Sequence, residues 1–267
     1  MAITTLDGLL AGMQPPREVI KSATPTLVAG RPHSLFYLPG IPGAAVAPTP
    51  GLSGAALTTY AGQLPFNNPV AGMTYLARLA AAATIPGQLI LCDRLWHNSG
   101  INVTLATAQT INSVAWPARD ANGTTNGDGV LLGVEVSTAT GAAAPTLTVG
   151  YTNSAGTAGR SGVNAVATVA SSAIGAFYPI GLAAGDVGVR SVQSLTLSVS
   201  WASGTIHLVA YRPIARLDLA SGNVGSSLDA VTGGMPRLFD NSVLFLLFIP
   251  STTTATTITG HTIWSQG

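Results

Sequence analysis

The stretch QSLTLSVSWASGTIHLVAYR, residues 193–212, decides the fold. Leu195, Leu197, Val199 and Trp201 alternate with Ser194, Thr196, Ser198 and Ser200. A strict period of two marks a strand with one buried face. Ala202-Ser203-Gly204 then interrupts, and TIHLVAYR resumes the pattern. A three-residue loop ending in Gly predicts that the two halves pair as a hairpin. The same alternation runs through GVLLGVEVST (129–138) and PTLTVGYT (145–152). Further strands are expected at 74–83, 88–97, 109–116, 163–170, 174–182, 243–250 and 257–265, separated by turn signals such as IPG, NSG and AAGDVG. No window past residue 70 carries a capped helical period. The reading is all-β: a Greek-key or jelly-roll-like β-sandwich. VLFLLFIP (243–250) reads as a strand buried on both faces, so residues 220–267 are expected to finish the same sandwich.

Upstream the texture changes. Ten of the 17 prolines fall within the first 70 residues. Proline lacks an N–H and restricts the residue before it to extended backbone, so YLPGIPGAAVAPTPGLSG (37–54) excludes a helix or a central strand. Residues 1–70 therefore read as a Pro/Gly-rich extended N-terminal arm, and residues 71–267 as the sandwich body. Short helices are expected over 3–12 and 52–61. Leu35, Phe36, Tyr37, Leu38, Leu57, Tyr60, Leu64 and Phe66 favour burial, which argues for an arm laid over a core rather than a free linker.

Charged residues make up 8% of the 267 positions, against a usual share of about 25%. Hydrophobic residues make up 47% and mean hydropathy is +0.43. So neutral an exterior suits burial against other protein copies better than life as a free monomer. Net charge is +1, with a single lysine and scattered arginines, so neither nucleic acid nor a membrane surface is an expected partner. One cysteine excludes an internal disulfide. The N-terminal stretch lacks the positive leading region of a signal peptide, and the longest apolar run, residues 243–249, is too short to span a bilayer. Synthesis in the cytoplasm without membrane insertion is the expectation.

LILCDRLWHNSG (89–100) gathers most of the chemically versatile side chains. On a regular strand Cys92 and His97 face opposite ways, and Asp93 and His97 share a face about 13 Å apart. Neither spacing makes a nucleophile–base pair. An ion pair of Asp93 or Arg94 is expected, with no partner legible. DANGTTNGDG (120–129) sets Asp120, Asn122, Thr124, Asn126 and Asp128 at alternate positions, as in a calcium loop. Thr125 and Leu131 stand where an EF-hand needs Gly and Glu, and turn chemistry explains the residues equally well. His33, His97, His207 and His261 lack zinc spacing, and a satisfied structural role is expected for His207. TNSAGTAGRSG (152–162) reads as a mobile polar loop, with sugar or subunit binding as the alternative. No HExxH, G-x-S-x-G or P-loop is present. No catalytic, cofactor-binding or metal residue is assigned, no cofactor is expected, and the chain reads as a non-enzyme.

The segments LCDRLWHNSGI, ARDANGTTNGDG, YTNSAGTAGR, AGDVGVRSVQSLTL, HLVAYRPIARLDL and MPRLFDNSVLFLLFIPSTTTATT, with AITTLDGLLAGMQPP at the start, resemble virion proteins of tailed bacteriophages and prophages. The resemblance implies a structural protein of the virion: a decoration or cement protein that stabilises the phage head. Its implied partners are the major capsid protein and copies of itself, as a homo-oligomer such as a trimer clamped by the arm. Deleting residues 1–50 is then expected to weaken attachment and leave the body folded. The alternative is a carbohydrate-binding or adaptor component of a head fibre or tail. That role needs exposed aromatics, for which Trp96, Trp116, Tyr151, Trp201 and Trp264 are the candidates.

Overall fold

A computed structural model describes residues 3–22 and 26–267. Residues 1–2 and 23–25 of the expected arm, Pro25 among them, lie outside the described residues. The arm contributes α1 (Leu6–Ala11) and four short strands, β1 (Arg17–Lys21), β2 (His33–Ser34), β3 (Gly40–Ile41) and β4 (Ala55–Ala56). The body follows with β5 (Thr74–Ala83), β6 (Gly87–His97), β7 (Gln109–Thr110), β8 (Leu131–Thr138), β9 (Leu147–Asn153) and β10 (Arg160–Asn164). Next come β11 (Phe177–Gly181), β12 (Val189–Leu197), β13 (Thr205–Leu219), β14 (Ser226–Asp229) and a one-turn helix α2 (Ala230–Gly233). The chain closes with β15 (Arg237–Leu238), β16 (Leu244–Pro250) and β17 (Ile258–Gln266).

These strands make two curled sheets, antiparallel throughout the described pairings, that form a jelly-roll-like β-sandwich. One sheet runs β14-β5-β17-β1-β3, with β15 also on β5. The other runs β2-β16-β6-β13-β8-β11-β10-β9-β12-β7, with β4 on β6. Within it β8 to β11 stand in the order β8-β11-β10-β9, which is a Greek key.

The long sheet folds over on itself. Leu132, Val134, Val136, Ile206 and Leu208 on one leaf meet Leu147, Val149, Tyr151, Leu195 and Leu197 on the other, in one core. Farther along the same strands, Leu89, Leu91, Leu217 and Leu219 meet Leu76, Leu79, Ile258 and Trp264 in a second core against the smaller sheet. β6 and β13 are the spine shared by both. Each carries one extra residue: Leu95 on β6, between the pairs Ala210–Trp96 and Tyr211–Arg94, and Ile214 on β13, beside Pro213. A bulge is where a strand tolerates proline, and it shifts the alternation by one. The two shifts let both cores form on one face of the spine.

The predicted hairpin of 193–201 with 205–212 does not form. β12 pairs with β9 and β7, whereas β13 pairs with β6 and β8, so the chain crosses from one leaf to the other. The intervening turn closes on the body instead. The Trp201 N–H donates to the Val103 carbonyl (2.8 Å), and Gly141 N–H to the Ser203 carbonyl (3.2 Å). Trp201 is fully buried in the first core, and that burial outweighs local pairing. Strand 109–116 shrinks to Gln109–Thr110, and 163–170 to Arg160–Asn164. VLFLLFIP behaves as expected: Leu244, Leu246 and Phe248 face the second core, and Phe245 and Leu247 face the opposite side.

The arm is stitched into the body. β1 lies between β17 and β3, and Val19, Leu27, Leu35 and Leu38 enter the second core. Phe36, with Tyr37 and Tyr60 beside it, covers the outer face of the spine around Ile90, Cys92 and Phe245. Lys21, the single lysine, donates to the carbonyls of Leu38 (3.0 Å) and Pro42 (2.7 Å); burial draws its pKa down to about 8. The helix expected at 3–12 is present as α1. The one expected at 52–61 is absent: Ala55 and Ala56 pair with His97 and Trp96 instead. Gly54 explains why. Its φ is +70°, and a Cβ there would collide with the His97 carbonyl and the Trp96 indole. Gly54→Ala is expected to cost about 1–3 kcal/mol, read as a lower urea midpoint at unchanged slope.

Candidate functional site

The bulge at Leu95 revises the reading of LILCDRLWHNSG. Past it, His97 lies on the Arg94 side, edge-on to Tyr60 with ring centroids 4.9 Å apart, while Leu95 and Trp96 both reach the first core. Cys92 and His97 therefore share a face, and Asp93 does not share it. Cys92 is fully buried; burial raises its thiol, whose one hydrogen-bond contact among the described residues is the Ile90 carbonyl. That is the setting of an inert, protonated cysteine.

Arg94 and Asp93 each find a partner, on opposite faces. Arg94 Nη2 donates to Glu135 Oε1 at 2.6 Å, with both side chains wholly buried. The Tyr37 hydroxyl of the arm donates to Glu135 Oε2 at 2.9 Å. The guanidinium carbon stands 4.2 Å from the Phe36 ring centroid and 4.7 Å from that of Phe245. Arg94 Nε and Nη1 lack hydrogen-bond acceptors, and the two ring faces take their place. Burial alone would raise the Glu135 carboxyl; Arg94 outweighs it and holds Glu135 below the ordinary carboxylate range. On the other face, Asp93 accepts from Arg119 Nε (2.9 Å), Arg119 Nη2 (3.2 Å), Ser242 Oγ (2.9 Å) and the Val243 N–H (2.9 Å). Arg212 Nε donates to the Arg119 carbonyl beside it.

Removing one member of such a pair strands the other without compensation, which costs about 3–5 kcal/mol. Glu135→Gln should therefore lower stability by that order. Arg94→Met with Glu135→Leu should recover most of the loss. Urea titration of the three proteins reads the difference.

The histidines are structural in their contacts. His207 Nδ1 bonds the Asn98 carbonyl (2.8 Å) and Nε2 bonds Ser137 Oγ (2.7 Å). That Ser–His spacing suits a nucleophile and base, and sequence reasoning missed it because the two residues sit diagonally on neighbouring strands. Neither of the two surface hollows described below is lined by Ser137. His33 Nε2 accepts the Val28 N–H (3.1 Å). The 120–129 loop is organised by Asp120, whose carboxylate accepts from the N–H groups of Asn122, Thr124, Gly127 and Asp128 and from the Thr124 hydroxyl. These donors engage both Asp120 oxygens, which is the turn chemistry read from the sequence. The 152–162 loop is tied to the turn between β11 and β12, where Asp186 accepts from Arg160, Tyr151 and Asn153.

Two surface hollows stand out. One, about 450 Å³, lies on the small sheet beside Arg78, Ser226, Ser227, Thr259 and His261, and is polar. The other, about 410 Å³, lies on the outer face of the spine, next to the arm. Pro32, Ile90, Leu131, Ile214, Leu247 and Ile249 line it, with Arg216 at its lip. All five aromatic candidates for a sugar platform are in the core: Trp96, Tyr151 and Trp201 are wholly buried, and Trp116 and Trp264 are 2% exposed. The carbohydrate reading loses its expected aromatic surface, because all five side chains pack inside the fold. Among the described residues no helix is long and apolar enough to cross a membrane.

No family model and no curated protein matches the chain. Among solved structures, the infectious bursal disease virus VP2 subviral particle is similar at 9% identity, over 96% of this chain and 80% of that chain, with a TM-score of 0.20. The Gx strain structure of the same virus is similar at 11% identity, over 95% of this chain and 41% of that chain, with a TM-score of 0.11. Likeness at these scores carries no argument about fold or function.

Proposed function

We propose that this chain is a non-enzymatic structural protein of a virion, a decoration or cement protein of a tailed-phage head. It works by surface burial against the major capsid protein and copies of itself. One observation carries the reading. Eight of the twenty-one formal charges (Lys21, Arg31, Asp93, Arg94, Arg119, Asp120, Glu135 and Arg212) are buried, which leaves thirteen over 10401 Å² of surface. Charge is spent inside the fold, to pin the arm and the spine, and the exterior is left nearly neutral. Such an exterior loses little polar hydration when another protein covers it. The phrases shared with tailed-phage virion proteins point the same way.

The test is co-sedimentation of the purified chain with phage heads stripped of accessory proteins. Saturable binding at a fixed ratio to the major capsid protein, with slower thermal rupture of the heads, is the expected result. An unbound chain and unchanged heads would refute the reading.

A further inference from the structure

The short helix α1 holds its apolar stripe the wrong way round for a solitary protein. Leu6 and Leu10 stand at i and i+4 on α1, the spacing of a helix that docks in a groove, and Met13 follows just past the C-cap Gly12. Yet they are 65%, 57% and 41% exposed. Only Leu9, at the margin of the stripe, is buried. A six-residue helix is marginal by itself, and this one is held in place from behind. The Thr5 hydroxyl caps it by accepting the Gly8 N–H (3.1 Å), and Ser265 Oγ donates to the Leu9 carbonyl (2.8 Å). Gln14 N–H donates to the Trp264 carbonyl (2.8 Å). The stripe is thus displayed on a fixed support.

The apolar groove beside Ile90, Ile214 and Leu247 has the complementary character. Charge is complementary too: Asp7 flanks the exposed stripe, and Arg216 stands exposed at the lip of the groove. The two surfaces of one copy are kept apart. α1 is fastened to β17 of the small sheet, which packs on the inner face of the spine, and the groove opens on the outer face. The spine separates them.

Resting on the self-association proposed above, we infer that α1 of one copy seats in the spine groove of a second copy, with Leu6, Leu10 and Met13 inserted and Asp7 meeting Arg216. The contact is heterologous, helix to groove, so it propagates from copy to copy and makes a ring where the rotation closes.

The test uses the full chain and two variants at exposed residues: Leu6→Gln with Leu10→Gln on the helix, and Arg216→Glu at the groove. Sedimentation velocity should show the wild type heavier than its 26.9 kDa monomer, and each variant monomeric at an unchanged melting temperature. Association should weaken about 100-fold or more in each. Mixing the two variants should restore dimers and nothing larger, because one intact helix and one intact groove remain. A wild type that stays monomeric, an oligomer that survives both substitutions, or a mixture that stays monomeric would each overturn the inference. Wild-type monomers that still bind heads would sink this contact and leave the proposed function standing. Loss of head binding by the helix variant alone would assign the stripe to the shell protein.

Discussion

Deleting residues 1–50 will abolish the cooperative unfolding transition of the body, against the expectation that the arm can be removed cleanly. The segment carries Val19, Leu27, Leu35, Phe36 and Leu38, each at most 4% exposed. Burying one such side chain is worth about 1.5–3 kcal/mol, so the five together are comparable with the whole stability of an ordinary domain. Ordering the arm costs entropy, which deletion returns. The surfaces left behind gain nothing. β17 loses β1, β16 loses β2, Arg94 loses the Phe36 face, and Glu135 loses the Tyr37 hydroxyl. Water then reaches an ion pair that was fully enclosed. Near-ultraviolet circular dichroism and urea titration of the truncated chain read the outcome. A sharp transition at the wild-type midpoint would show that the body folds without its strap.

Acid will loosen the same seam. His33 is wholly buried and His97 nearly so, and burial depresses both from 6.5 to about 3, with Arg31 adding to the effect at His33, and Arg94 and His207 at His97. Both rings stay neutral in the fold and charge in the unfolded chain below about pH 6.5. The unfolded state therefore binds more protons, and stability falls as pH drops from 6.5 toward 3. Each ring contributes about 1.4 kcal/mol per pH unit, so the pair removes on the order of 5 kcal/mol by pH 4.5. Geometry gives the same sign. A proton on His33 Nε2 would face the Val28 N–H that now donates to it, and His97 sits beneath Tyr60 of the arm. Urea midpoints at pH 7.5, 6.0 and 4.5 should fall steeply for the wild type. The double variant His33→Gln, His97→Gln should show a markedly shallower fall. Equal slopes for the two proteins would rule out these rings as the source.

Both effects fall on contacts that the order of residues did not disclose. Arg94 was legible as a side chain in need of a partner, but Glu135 is 41 positions away and only the β6-β13-β8 arrangement brings it close. The same holds for Asp93 and Arg119, and for Ser137 and His207. A short helix within residues 3–12 was expected, and α1 is it. That its stripe faces outward was not, because outward is defined by β17, at the far end of the chain.

The amino-acid order by itself determined that this protein is all-β, where most strands run, and that VLFLLFIP is buried on both faces. Those are consequences of local sterics and period-two alternation, which a short window contains. Tertiary structure alone decided which strands pair, that the 202–204 turn crosses between leaves instead of closing a hairpin, and which way His97 and Trp96 face beyond the Leu95 bulge. A bulge needs a partner strand to be extra against, and a strand's choice of neighbour depends on the burial of side chains such as Trp201 in a core assembled from the whole chain.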